Sequence, residues 1–140
     1  MNTKFILFDG CDKCGKSTLI KAVHQATDYK HVIVDRGILS NIVYGKFHCR
    51  NINEKDLLQM DETFSKIKFV RQIILTANLN DVLKRFEEHN EVDLEDDEVP
   101  TILKAYEKYS KLTKISTLVL DTSRNDLNKC VDMILKWLEK

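Results

Sequence analysis

Residues 8–19, FDGCDKCGKSTL, carry two overlapping patterns whose chemistries differ. Gly10, Gly15, Lys16 and Ser17 stand at the spacing G-x-x-x-x-G-K-[ST], that of a loop whose backbone N–H groups wrap a chain of phosphates. In such a loop Lys16 reaches the outer phosphates and the Ser17 hydroxyl ligates Mg²⁺, while Asp12, Lys13, Cys14 and Thr18 complete the lining. Cys11 and Cys14 stand at the spacing C-x-x-C of redox and metal sites. A zinc site needs two more ligands, and the other Cys/His pair close in sequence, His48-Cys49, is adjacent and has no finger-like spacing. A redox pair has no use for Gly10, Gly15 or Lys16 where they stand. The phosphate loop is the better reading, with the cysteines tolerated in it. Cys14 is expected to be alkylatable, because a helix N-terminus lowers a thiol pKa.

The second chemical stretch is VIVDRGILSNIVYGKFHCR, 32–50. Asp35 ends an apolar run beside the loop's own strand, where it would hold Mg²⁺ through water. Arg36 would offer its planar fork of donors to phosphoryl oxygens. Asp9 ends the first strand in the same way. There are five arginines, at 36, 50, 71, 85 and 124. Arg71 and Arg124 read as a solvated strand edge and helix start, whereas Arg50, six residues after Tyr44, is either a site residue or a surface one. Among the aromatics able to stack on a base, Phe64 and Tyr106 lie on helical apolar stripes and are assigned to the core. Tyr44, beside Gly45, is preferred to Phe47. The run Glu87 to Glu98 has eight carboxylates in 12 residues, matches no cation-loop spacing, and is read as a solvated segment with no chemistry of its own.

Four apolar runs of strand length must position these groups: 4–8, 31–35, 70–76 and 117–121. Between them apolar residues recur at helical spacing. Leu19, Ile20, Val23 and Ala26 follow Lys16. Leu57, Met60, Phe64 and Ile67 form one face of a helix capped by Asn53 and Asp56. A short helix over 80–89 takes Asn80 as its cap. Asp96, Asp97 and Glu98 place negative charge where another helix starts, with Pro100 in its first turn and Val99, Ile102, Leu103 and Tyr106 buried. Ser123 and Asp126 cap a last helix burying Leu127, Cys130, Val131, Ile134 and Leu138. Alternating strands and helices imply an α/β fold with a parallel sheet and right-handed crossovers, covered on both faces. Ligands in such folds bind beyond the carboxyl ends of the strands, here Asp9-Gly10, Asp35-Arg36, Thr76 and Asp121-Thr122.

On these motifs the chain resembles the thymidylate kinases. FDGCDKCGKSTL is similar to their phosphate loop, with the acidic Asp12 two residues after the first glycine. DRGILSNIVYG resembles the D-R-x-x-x-S-x-x-x-Y segment of thymidylate kinases and related small viral nucleotide kinases. LTANLNDVLKRFEEHNEVD resembles their strand, helix and lid, here about 85–98, and LKAYEKYSKL and LVLDTS resemble the helix and strand after the lid. The resemblance implies a three-layer P-loop kinase fold over 1–140, with about four strands in the order 2-1-3-4. It implies that Lys16 and Ser17 serve ATP and Mg²⁺ and that Asp35 sits on the metal. Arg36 would contact donor and acceptor phosphates, Arg85 would stabilise the transferring charge, and Asp12 would lie near the acceptor sugar.

Three departures bear on the acceptor. No room exists between Ala26 and His31 for the strand and helices that hold the acceptor base in full-length relatives. Lys13 stands where some relatives have Arg, and lacks its bidentate fork. The lid has His89 where a second Arg is expected. The implied reaction is transfer of the ATP γ-phosphoryl group to a (deoxy)nucleoside monophosphate, dTMP first. Asp9, Asp12, Arg36, Tyr44 and Arg50 are its candidate acceptor contacts. A hydroxyl acceptor, on a nucleoside or a modified base in DNA, remains an alternative that needs a carboxylate base such as Asp9 or Asp12. A non-catalytic nucleotide-binding partner protein is a third.

The overall charge balance narrows the partners. Lys and Arg number 22 against 22 Asp and Glu, so no basic stripe favours nucleic acid and no global field favours a membrane. Four cysteines in 140 residues do not make a disulfide scaffold, and no charged-then-apolar leader precedes Asp9; a reduced, cytoplasmic single domain is expected. A homodimer is left open.

Overall fold

The computed structural model describes residues 2–11, 14–89 and 98–140. Asp12 and Lys13 lie outside the described residues, as do 90–97 of the expected lid. The order of elements is β1 (Phe5–Gly10), α1 (Lys16–Ala26), β2 (Val32–Asp35), α2 (Ile38–Phe47), α3 (Glu54–Ser65), β3 (Val70–Thr76), α4 (Leu79–His89), α5 (Val99–Leu112), β4 (Thr117–Asp121) and α6 (Leu127–Leu138).

The four strands form one parallel sheet in the order β2-β1-β3-β4, as expected. The central strands β1 and β3 are buried on both faces and therefore read as unbroken apolar runs. Phe8 of β1 is level with Asp35 of β2 and Ile73 of β3, so the polar strand ends gather at one edge of the sheet. Helix α1 covers one face, where it packs on α6. The other face carries α2, which packs on α3 and α5, with α4 against α5.

Several local expectations need correction. The helix α2 has no counterpart among the expected elements. Ile38, Leu39, Ser40, Ile42, Val43, Tyr44 and Gly45 are all buried in it, and with only Asn41 and Lys46 of its residues exposed the helix shows no clear amphipathic period. Gly45 is in that helix because a Cβ there would meet Ile52 at 2.6 Å. In α3 the Asn53 side chain caps as expected, accepting from the Asp56 N–H, but Met60 is 46% exposed and the buried residue is Asp61. Asp61 accepts from the Thr113 hydroxyl at 2.6 Å and the Lys114 N–H at 2.8 Å, which ties α3 to the α5–β4 turn. Asn78, not Asn80, caps α4: its carbonyl accepts from the Asp81 N–H at 2.8 Å. Asp126 caps α6, whereas Ser123 accepts from the Asn78 N–H and so joins the loops after β3 and β4. Leu127 shares the stripe of Cys130, Ile134 and Leu138 but is the first residue of α6 and is 42% exposed. No helix among the described residues is long and apolar enough to cross a membrane.

Candidate active site

Two glycines shape the loop after β1. Gly10, at φ 150°, passes so close to β3 that a Cβ would meet the Leu75 carbonyl oxygen at 2.8 Å. Gly15, at φ 86°, is the left-handed N-cap of α1 and no side chain caps the helix. The first N–H groups of α1 are thus presented to whatever anion lies beyond them. Ser17 and Thr18 are on that first turn, Ser17 exposed at its start.

Lys16 is buried up to its charged end, and Nζ lies 3.1 Å from Asp35 Oδ1 at the end of β2. The Asp35 side chain is 54% exposed. Loop lysine and neighbouring-strand aspartate are thereby brought together as the order of the sheet requires.

Arg36 follows with φ 73°, a left-handed conformation that costs a non-glycine residue on the order of 1 kcal/mol or more. Its N–H donates to the Phe8 carbonyl at 2.8 Å, extending the β1–β2 ladder by one step. Its guanidinium lies over the ring of Tyr44, 5.1 Å from the centroid. Tyr44 is buried, with its ring edge-on to Tyr106 at 6.3 Å between centroids.

Asp9 is fully buried, and its Oδ1 gathers three donors from the start of α2: the Gly37 N–H at 2.9 Å, the Ser40 N–H at 3.1 Å and the Ser40 hydroxyl. It therefore caps α2 from another strand, since the N-cap Gly37 has no side chain to do so. Gly37 is required there, because a Cβ would come within 3.0 Å of Asp9 Oδ2. That oxygen is buried with no hydrogen-bond partner among the described residues. Burial pushes the Asp9 pKa up, outweighing the hydrogen bonds from Ser40 and Gly37 and the charge of Lys16, which favour the carboxylate.

The Ser40 hydroxyl also lies 2.8 Å from the Tyr106 hydroxyl. Ser40 is the serine of the segment that resembles D-R-x-x-x-S-x-x-x-Y, whereas nothing in the sequence singles out Tyr106 as polar machinery. The available signals are a serine inside an apolar helix and a tyrosine, rather than phenylalanine, on a core stripe.

Arg85 on α4 is half-buried, with Nη1 3.5 Å from the Thr122 hydroxyl just past β4. Its charge reaches the loop: the Cys14 thiol pKa is lowered by a hydrogen bond with Cys11 and by the charges of Arg85 and Lys16. Cys11 and Cys14 are both buried, and none of the four cysteines is in a disulfide. Arg50 is exposed and lines a recess of about 360 Å³ with Asn41, Gly45, Ile52, Asn53, Asp56 and Leu57. Among the described residues no three His, Cys, Asp or Glu side chains cluster as a metal site.

No family model matches the sequence, and no curated protein matches it either. Its structure does match others. It is similar to the Bacillus subtilis YorR protein in complex with phosphorylated GDP, at 21% identity and a TM-score of 0.82 over 97% of this chain and 96% of that one. The fold is that of the P-loop nucleotide kinases. Deoxyadenosine kinase from M. mycoides, with products dCMP and a flexible dCDP bound, aligns at 14% identity and a TM-score of 0.71 over 96% of this chain and 98% of that one. Thymidylate kinase from Candida albicans aligns at 15% identity and a TM-score of 0.61 over 99% and 92%. In this P-loop kinase frame the loop after β1, the end of β2 and the start of α1 lie at the carboxyl edge of the sheet, where such folds bind their ligands.

Proposed function

We propose that the chain is a Mg²⁺-dependent kinase that moves the γ-phosphoryl group of ATP to a nucleoside monophosphate, with dTMP the first acceptor to test. The observation that carries this reading is the placement of Lys16 3.1 Å from Asp35, beside the uncapped first turn of α1 that bears Ser17. Ser17 and Asp35 offer one hydroxyl and one carboxylate, a hard-oxygen donor set that suits an ion which keeps several waters and completes its shell with phosphates. When bound, Mg²⁺ would neutralise charge developing on the transferring group.

The chain's own residues do the rest. The N–H groups of residues 11 to 17 would cradle the donor phosphates, Asp12 and Lys13 among them lying outside the described residues. Lys16 moves from the exposed Asp35 to phosphate oxygens, an exchange between two anionic partners. Arg36 spans donor and acceptor phosphates, and Arg85 stabilises the transferring charge. Tyr44 and Arg50 are candidate contacts for the acceptor, and Asp12 for its sugar.

A monophosphate brings its own nucleophile, because its oxygen is already largely ionised near neutral pH (second pKa about 6). A hydroxyl acceptor needs a base. The full burial of Asp9, and its use as the cap of α2, support the monophosphate over the hydroxyl. The similarity of fold to a deoxyadenosine kinase keeps the nucleoside hydroxyl as the second reading.

The test is ATP consumption with Mg²⁺ across deoxynucleoside monophosphates, the matching nucleosides and DNA bearing modified bases. Turnover on a monophosphate supports the proposal and names the base. Turnover only on nucleosides or DNA replaces it by the second reading. Tight ATP binding with no turnover points instead to a nucleotide-binding partner protein.

A further inference from the structure

Three elements of the site meet at one buried hydroxyl that the reaction itself does not require. Ser40 has a single hydroxyl hydrogen, and it is given to Asp9 Oδ1. Across the 2.8 Å contact the Tyr106 hydroxyl must therefore donate to Ser40. The bonds run in one direction, from Tyr106 on α5 through Ser40 on α2 to Asp9 at the end of β1. The Tyr106 ring also stands edge-on to Tyr44, over which the Arg36 guanidinium rests. Tyr106 thus touches Ser40, which helps Asp9 cap the helix after Arg36, and the aromatic platform under Arg36.

Packing alone does not call for this hydroxyl. Tyr106 is 1% exposed, and phenylalanine would fill the same volume without a polar group to satisfy. Arg36, moreover, sits in a strained left-handed conformation that persists only if its surroundings over-determine it. The two ends of that restraint are the ladder bond to Phe8 and the capped start of α2.

We propose that Tyr106 and Ser40 are positioning residues: acting through Asp9, they hold the Arg36 segment in fixed register with the start of the phosphate loop. This rests on the kinase reading above. Neither residue touches the reacting atoms. Because α5 begins at Val99, directly after the acidic segment, the same hydroxyl ties the helix beyond that segment, through Ser40 and Asp9, to the end of β1.

The test is a double-mutant cycle on Tyr106→Phe and Arg36→Ala, with rates referred to the concentration of ATP-binding sites so that misfolded protein does not count. In the otherwise native chain Tyr106→Phe should lower kcat about tenfold or more, with KM for ATP and acceptor changed less than about threefold. In the Arg36→Ala background, already slowed by about 10³, the same change should cost less than about twofold, because the group it positions is gone. Ser40→Ala should behave as Tyr106→Phe does, and combining the two should cost little more than either. Effects of Tyr106→Phe that multiply with Arg36→Ala, or no effect on kcat in an active wild type, would overturn the positioning role and leave the kinase reading standing. A wild-type chain silent on every acceptor would overturn the kinase reading, and this inference with it.

Discussion

Lys16 Nζ lies 3.1 Å from Asp35 Oδ1, so the lysine at the start of α1 is paired with the carboxylate proposed for the metal. The pair is lopsided. Lys16 is buried, whereas the Asp35 side chain is half open to water, and an ion pair with an exposed partner is worth at most about 1 kcal/mol. Such a partner restrains the lysine yet gives it up readily to a phosphate.

Lys16→Ala should therefore leave the fold intact, with a change in unfolding free energy within about 1 kcal/mol, while removing measurable phosphoryl transfer. Denaturant unfolding and the coupled ATP assay check the two halves. An unchanged rate in a folded variant would sink the mechanism.

Arg36 is the second case of separable stability and activity. Arg36→Gly relieves a left-handed backbone, worth about 1 kcal/mol or more, and forfeits a cation–π contact worth about 0.5–1 kcal/mol. Stability should stay within about 1 kcal/mol of wild type, whereas turnover should fall by about 10³ if the guanidinium neutralises transferring charge. A large loss of stability would mean that the stacking on Tyr44 outweighs the strain.

Asp9 makes a pH prediction whose sign follows from its burial. Its folded pKa lies above the ordinary carboxylate value, so the folded state holds the proton more tightly than the unfolded chain does. The contribution is fully present below the unfolded value of about 3.9 and is lost as pH rises through the folded pKa. Melting temperatures of wild type and Asp9→Asn, measured upward from pH 4, should diverge in that direction, with wild type losing stability relative to the variant. Parallel curves would place Asp9 in an environment that does not perturb it.

The cysteines divide by burial more sharply than by acidity. Cys49 is exposed, while Cys11, Cys14 and Cys130 are buried. The pKa of Cys14 is lowered first by its hydrogen bond with Cys11 and then by the charges of Arg85 and Lys16, but a buried thiol is reached by a reagent only when its surroundings open. Brief treatment with iodoacetamide, followed by peptide mass spectrometry, should find Cys49 modified first. Modification of Cys14 ahead of Cys49 would mean that the loop opens faster than reagent attacks an exposed thiol.

Much of this architecture is legible along the chain. The glycine spacing from Gly10 to Ser17, the four apolar runs and the cap of α3 at Asn53 are local features, each decided by residues a few positions apart. Where the sequence misleads, a local preference is overruled by a distant partner. Ser123 is a good cap by type, but its hydroxyl is taken by the N–H of Asn78 from the neighbouring loop. Asp61 looks like a solvated helix residue until Thr113 and the Lys114 N–H reach it from the far end of α5.

By itself the sequence determined the four strands, the helices other than α2 and the glycine spacing of the loop after β1, because helix period, strand length and glycine placement are written within single turns and runs. Only the tertiary structure decided how the site closes. Asp9 caps a helix whose third residue lies 31 positions away, and Ser40 meets a tyrosine 66 positions away. Contacts at such separations leave no periodic mark on either segment. They exist because a parallel sheet brings the ends of β1 and β2 level and lays α2 and α5 over the same face.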